Sequence, residues 1–182
     1  MSTSSENKAS VTQVSCPTAT VEDMKKKIMV RTADGEVFEL KKDVAMEIAI
    51  VKSFFQEDTV SYETVMPIPN VQSREMAKLI EYCNKNLELK GKADGDKELK
   101  AFQAEFINDQ STKSLLRLAD VANYLEVKYF LDFLCQTVAD RIKNKTVEYV
   151  RDLFGVENDF SPEEYDKVCA EAPWCFEGLD DD

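Results

Sequence analysis

The patterned part of the chain opens with two short apolar runs. Ile28-Met29-Val30-Arg31-Thr32 and Glu36-Val37-Phe38-Glu39-Leu40 flank Ala33-Asp34-Gly35, and Asp-Gly between such runs predicts a hairpin. A helical stretch follows from about Lys42 to Gln56. Val65-Met66-Pro67-Ile68-Pro69 reads as a short strand whose prolines confine it to an edge or a strand end. From Ser73 to Leu89 the period changes. Met76, Leu79, Ile80, Cys83 and Leu87 recur at three- and four-residue spacing, the mark of an amphipathic helix. A polar linker at about 90–97 leads to a helix striped by Leu99, Phe102 and Phe106. Leu115, Leu118, Ala119, Ala122 and Leu125 stripe another, starting near Asp109 or Ser111. The clearest period runs from about Val127 to Asn144, through Val127, Phe130, Leu131, Leu134, Cys135, Val138 and Ile142. Asn144 is placed to end that helix in a left-handed conformation. Thr146 then caps a short helix carrying Val147, Val150, Leu153 and Phe154, which Gly155 stops. Ser161-Pro162-Glu163-Glu164 is a capping box with Pro at the first helical position, and this last helix ends by Pro173.

A hairpin alone is unstable, so its strands need a third partner and covering helices. The expected fold is α+β: a small three-stranded sheet with helices, followed by a helical extension. In that extension apolar residues exceed what two short helices enclose. Val147, Val150, Leu153, Phe154, Val156, Phe160, Val168, Trp174 and Phe176 either pack back onto the α+β unit or form a groove for a partner. The pattern leaves both readings open.

Composition narrows the function. The chain has no histidine, which removes the commonest general base and zinc ligand and every Ser-His or Cys-His nucleophile. Only five glycines occur, and Gly91 and Gly95 sit in a polar loop without a phosphate-cradling motif. An enzyme is not expected, nor a metal or cofactor. The net charge of −12 is uneven: residues 157–182 hold ten acidic groups and one Lys. Such a terminus repels phosphate backbones, so nucleic acid is not an expected partner. No run of apolar residues is long enough for a membrane span, and no secretory signal opens the chain. The cytoplasm and nucleus are the expected compartments. Of five cysteines, none form a Cys-x-x-Cys pair, and Cys83 and Cys135 fall on apolar helix faces as buried reduced thiols. Nine Ser or Thr in the first twenty positions predict disorder over 1–26.

Several separated stretches together resemble the Skp family, the adaptors of cullin and F-box ubiquitin ligases. They are Ala122-Asn123-Tyr124-Leu125, Cys135-Gln136-Thr137-Val138-Ala139-Asp140, Asn158-Asp159-Phe160-Ser161-Pro162-Glu163-Glu164 and Trp174-Cys175. Asp34-Gly35-Glu36 and Pro67-Ile68-Pro69-Asn70-Val71 fit the family's N-terminal half. The resemblance implies a BTB/POZ-type domain over 27–143, F-box-binding helices over 144–177 and an acidic tail over 178–182. It implies a non-catalytic bridge between a cullin scaffold and F-box substrate receptors, with a RING subunit reached indirectly through the cullin. Asn123 and Tyr124 would face the cullin. Cys135, Val138, Ile142, Val150, Phe154, Val156, Phe160 and Trp174 would serve the F-box side, which favours the groove reading. The alternative is a BTB-type homodimerising scaffold without F-box clients. The chain departs from the family pattern at Asn144 (usually Gly), at Val147-Glu148-Tyr149-Val150 (usually Pro-Glu-Glu-Ile) and at Phe102-Gln103 (usually Trp-Asp). Tyr149 stands where the family has a carboxylate, which bears on the range of F-box partners. Asn144-Lys145-Thr146 fits the glycosylation sequon, which a cytosolic chain does not use.

Overall fold

The computed structural model describes residues 27–56 and 64–178. The expected disorder of 1–26 and nearly all of the acidic tail lie outside the described residues. Strands β1 (Lys27–Thr32) and β2 (Val37–Lys41) pair antiparallel, with Ile28 opposite Leu40 and Val30 opposite Phe38. Strand β3 (Val65–Ile68) pairs parallel to β1 on its other side, giving the order β2-β1-β3. Pro67 therefore lies on an edge strand, where its missing N–H breaks no inner ladder. Ile28, Val30, Thr32, Leu40, Met66 and Ile68 are buried beneath the helices. A parallel neighbour requires a crossover. Helices α1 (Lys42–Glu47) and α2 (Ala49–Gln56) begin that connection.

The single helix expected over Lys42 to Gln56 is broken at Ile48, whose backbone is extended at φ −96° and ψ 103°. Val44, Ile48, Val51 and Phe55 keep helical spacing across the break, so the pattern alone does not reveal it. Ile48, Ile50 and Val51 are β-branched, which weakens the helix here, and Ile48 is fully buried in its extended form.

The hairpin turn does more than reverse the chain. Gly35 takes φ +87°, which a residue with a Cβ rarely adopts. Asp34 beside it reaches helix α3 (Ser73–Leu89), accepting the Ser73 backbone N–H at 3.1 Å and the Ser73 hydroxyl. The helix's own N-cap, Gln72, supplies no side-chain acceptor. The turn thus caps a helix thirty-nine residues away. Hydrogen bonds from Ser73 and Thr32 hold the Asp34 carboxyl at about 2, below its ordinary 3.8.

Helix α3 runs through the centre of the core. Met76, Leu79 and Cys83 are fully buried, and so is Tyr82, which the apolar stripe omitted. Its ring lies 4.3 Å from Phe130 and within 6.1 Å of Phe102, Phe106, Tyr129 and Phe133, while Gln103 Nε2 donates to its hydroxyl at 2.6 Å. Tyr129 donates to Cys83 Sγ at 3.2 Å, and burial pushes the Cys83 thiol up to about 11. Cys83 is the inert buried thiol expected of it.

Helix α4 (Gly95–Asn108) starts within the expected linker, which shortens to 90–94. Lys97 and Glu98 donate backbone N–H groups to the Asp94 carbonyl, and Asp96 and Glu98 place negative charge in the first turn. Helices α5 (Thr112–Tyr124) and α6 (Lys128–Ile142) pack against each other. Ser111 caps α5, accepting the Ser114 N–H at 3.1 Å. The turn between the two places Glu126 at φ +56°, the only positive φ among described non-glycine residues. Asn144 is not left-handed; α6 ends at Ile142 with Lys143 still near helical dihedrals. Cys135 corrects another expectation: it is exposed. On α6, Phe130, Leu134 and Val138 face the core, whereas Cys135 lies one position off that line.

The core closes at α6. Helix α7 (Val147–Phe154) is capped by Thr146, which accepts the Tyr149 N–H at 3.1 Å, and ends in left-handed Gly155 at φ +67°. Helix α8 (Pro162–Glu171) carries the full capping box, and a 3-10 turn (Pro173–Phe176) follows. Only Leu153 is buried on α7, and no residue of α8 is.

Candidate functional site

Two surfaces present side chains that the fold does not consume. The first is the last turn of α5. Ala122 and Leu125 are fully buried, and this anchors the helix end so that Asn123 and Tyr124 between them point outward. The turn's carbonyls are satisfied locally: Val121 O accepts from Leu125 N–H at 2.9 Å and Asn123 O from Glu126 N–H at 3.1 Å. The side chains are left for other work. Asp120 and Arg117 are exposed one and two turns earlier on the same face, so the surface is polar around one aromatic ring.

The second surface begins where α6 ends. Arg141 donates to the carbonyls of Ile107 and Gln110, both at 2.7 Å, fastening α6 to the α4–α5 junction. An open cleft between α7 and the ends of α5 and α6 is lined by Ser111, Lys113 and Arg141 on one side and Tyr149, Asp152 and Leu153 of α7 on the other. Beyond this cleft, α7, α8 and their flanks leave several large apolar side chains uncovered among charged ones. Phe154 is 50% exposed, Val156 59%, Phe160 45% and Trp174 72%. Val168 on α8, absent from the candidate residues above, is 39% exposed and extends the patch. Its signal was its place in the apolar surplus of the extension. Tyr165 donates to Glu148 Oε1 at 3.3 Å, and the Arg151 guanidinium lies 5.8 Å from the Phe160 ring centre. These two contacts set α8 and its loop against α7. Burial first, and then the Glu148 carboxylate, raise the Tyr165 phenol above its ordinary value, so it remains the donor.

The expected F-box residues therefore divide. Phe154, Val156, Phe160 and Trp174 are exposed, and Val150 and Ile142 are half-buried. Cys135 is exposed on α6. Val138 is a core residue, 6% exposed, and supports the surface from beneath. Of the apolar surplus of the extension, Leu153 is buried and Val147 and Val150 are half-buried, whereas Phe154, Val156, Phe160, Val168 and Trp174 stay exposed. Among the described residues, no group of His, Cys, Asp and Glu could hold a metal ion, and no helix is long and apolar enough to cross a membrane.

A small mixed sheet covered by helices, followed by two further helices outside the core, is a BTB/POZ-type domain with a helical C-terminal extension. The Skp1 family's tetramerisation domain matches residues 26–88, and its dimerisation domain matches residues 128–175. SKP1-like protein 1A of Arabidopsis thaliana is 43% identical over 161 residues, covering 84% of this chain and 98% of the relative. SKP1-like protein 20 of Oryza sativa subsp. japonica is 42% identical over 174 residues, covering 85% and 97%. SKP1-like protein 4 of Arabidopsis thaliana is 39% identical over 165 residues, covering 85% and 99%. The chain belongs to the Skp1 family.

Proposed function

We propose that the chain is the non-catalytic adaptor of a cullin ubiquitin ligase, holding an F-box substrate receptor on α7–α8 and the cullin on the end of α5. The observation that carries this reading is the uncovered apolar face of α7 and α8 on a family member whose core is complete without it. Phe154, Val156, Phe160, Val168 and Trp174 form the F-box side, with Val150, Ile142 and Cys135 at its margin. Asn123 and Tyr124 form the cullin side. The two faces use different elements, so both partners bind at once. Bridging fixes the separation between a bound substrate and the enzyme carried by the cullin arm, which raises the effective concentration of the reacting lysine. The adaptor supplies rigidity and no chemistry. It works in the cytoplasm and nucleus, where its partners act.

The test is reconstitution with a cullin N-terminal domain and an F-box domain, followed by size exclusion with mass measurement. One species holding all three chains is expected. Asn123→Lys with Tyr124→Lys should remove the cullin alone, because buried charge in an interface centre is costly. Mutual exclusion of the two partners, or a self-dimer that persists beside the F-box domain, would overturn the reading.

A further inference from the structure

We propose that the partner helices seated on α7–α8 carry a rim of Lys and Arg around their apolar stripe, and that this rim sets the rate and choice of docking. The inference rests on the F-box reading above and concerns the chemistry of the partner. It comes from where the charge lies. Residues 27–145 hold 18 basic and 20 acidic groups, close to balance. Residues 146–178 hold nine acidic groups and two basic ones, a net of −7, and the sequence continues Leu179-Asp180-Asp181-Asp182. The chain's charge is thus concentrated on the segment that bears the apolar patch.

The interleaving is close. Glu157 and Asp159 stand between Val156 and Phe160, and Glu171 lies one turn beyond Val168, all of them exposed, while Asp152 beside Phe154 pairs with Lys113 Nζ at 3.4 Å. Both basic groups of the segment are engaged within it. Arg151 covers the Phe160 ring at 5.8 Å, and Lys167 Nζ lies 3.9 Å from Glu171 Oε1. Some carboxylates are engaged as well, Asp152 with Lys113 and Glu164 in its capping box, but the excess of nine acidic over two basic groups keeps the field around the apolar ridge negative.

That field selects the occupant. A second copy of this chain would set a net −7 face against another, and like charges at an interface cost free energy. An acidic amphipathic helix meets the same repulsion. An apolar helix with a neutral rim covers the ridge but leaves the carboxylates partly desolvated and unpaired. A basic rim pairs with them and draws the partner in from a distance. Charges at a rim act chiefly on association rate and salt dependence, and little on dissociation.

The experiment uses the full chain and stopped-flow emission of Trp174, the only tryptophan present. The probe is a tryptophan-free F-box domain with Lys and Arg beside its apolar stripe, compared with the same domain carrying Gln there. For the basic domain, the association rate should fall about ten-fold between low and high NaCl with dissociation nearly constant. The Gln domain should associate slowly at low salt and show little dependence. In the adaptor, Glu157→Gln with Asp159→Asn and Glu171→Gln should remove most of the salt dependence. Equal association rates for the two domains, or rates indifferent to salt, overturn the inference while leaving the F-box reading intact. Failure of both domains to bind a folded chain at any salt overturns the F-box reading, and this inference with it.

Discussion

Asp34 shows how much a single turn residue can hold. Its carboxylate ties the hairpin to the first turn of α3, and its folded value of about 2 lies below the ordinary 3.8. A depressed carboxyl contributes stability above its unfolded value and loses it as pH falls toward the folded one. The contribution is therefore complete near neutrality and fades between about pH 4 and pH 2. Asp34→Asn should be less stable than the parent at pH 7, with the difference closing through that window; denaturant midpoints measured against pH would show it. A difference that stays constant down to pH 2 would mean that the carboxylate's charge plays no part. Tyr82 is the opposite case, a residue whose weight is in its ring. Its position among five aromatic rings predicts a loss of about 3–5 kcal/mol for Tyr82→Ala, the usual range for emptying a large aromatic site. Tyr82→Phe keeps the ring and should cost about 1 kcal/mol, because only the Gln103 hydrogen bond is lost. Urea unfolding of both variants separates the two contributions. Neither role was legible from the residue type, since an Asp in a turn and a Tyr on a helix are both commonplace at the surface.

Among the elements, α4 tests whether propensity or packing decides. Gly95 opens the helix, and replacing a helical Gly by Ala ordinarily gains up to about 1 kcal/mol. Here an added Cβ would lie 2.3 Å from the backbone carbonyl oxygen of Leu89, which cannot swing aside as a side chain can. Gly95→Ala should therefore destabilise, by about 1–3 kcal/mol, as overpacking does. A raised melting temperature for that variant would show that the α3–α4 connection yields more easily than the geometry implies. The helical periods of α3, α5 and α6 were readable because each buries a continuous stripe against its neighbours. The break at Ile48 was hidden, since helical spacing continues on both sides of it.

For the whole molecule, the decisive feature is that the core ends before the chain does. Among the described residues, every member of the core cluster lies between Ile28 and Ile142, and beyond it only Leu153 is buried. Truncation after Lys145 should cost about 2 kcal/mol, the burial of one leucine. The shortened chain should unfold cooperatively, bind the cullin and lose the F-box domain. If it unfolds entirely, residues 146–178 belong to the core and the docking role of α7–α8 falls. By itself the sequence determined the order of the strands and main helices, the caps at Thr146 and Ser161, the stop at Gly155 and the apolar excess of the extension. All of these follow from residues within a few positions of one another, so local pattern contains them. Only the tertiary structure decided that the excess stays uncovered, that Val138 turns inward while Cys135 turns outward, and that Asp34 caps α3. Burial and long-range capping depend on which distant segment arrives as neighbour, and residues separated by thirty-nine positions carry no local sign of each other.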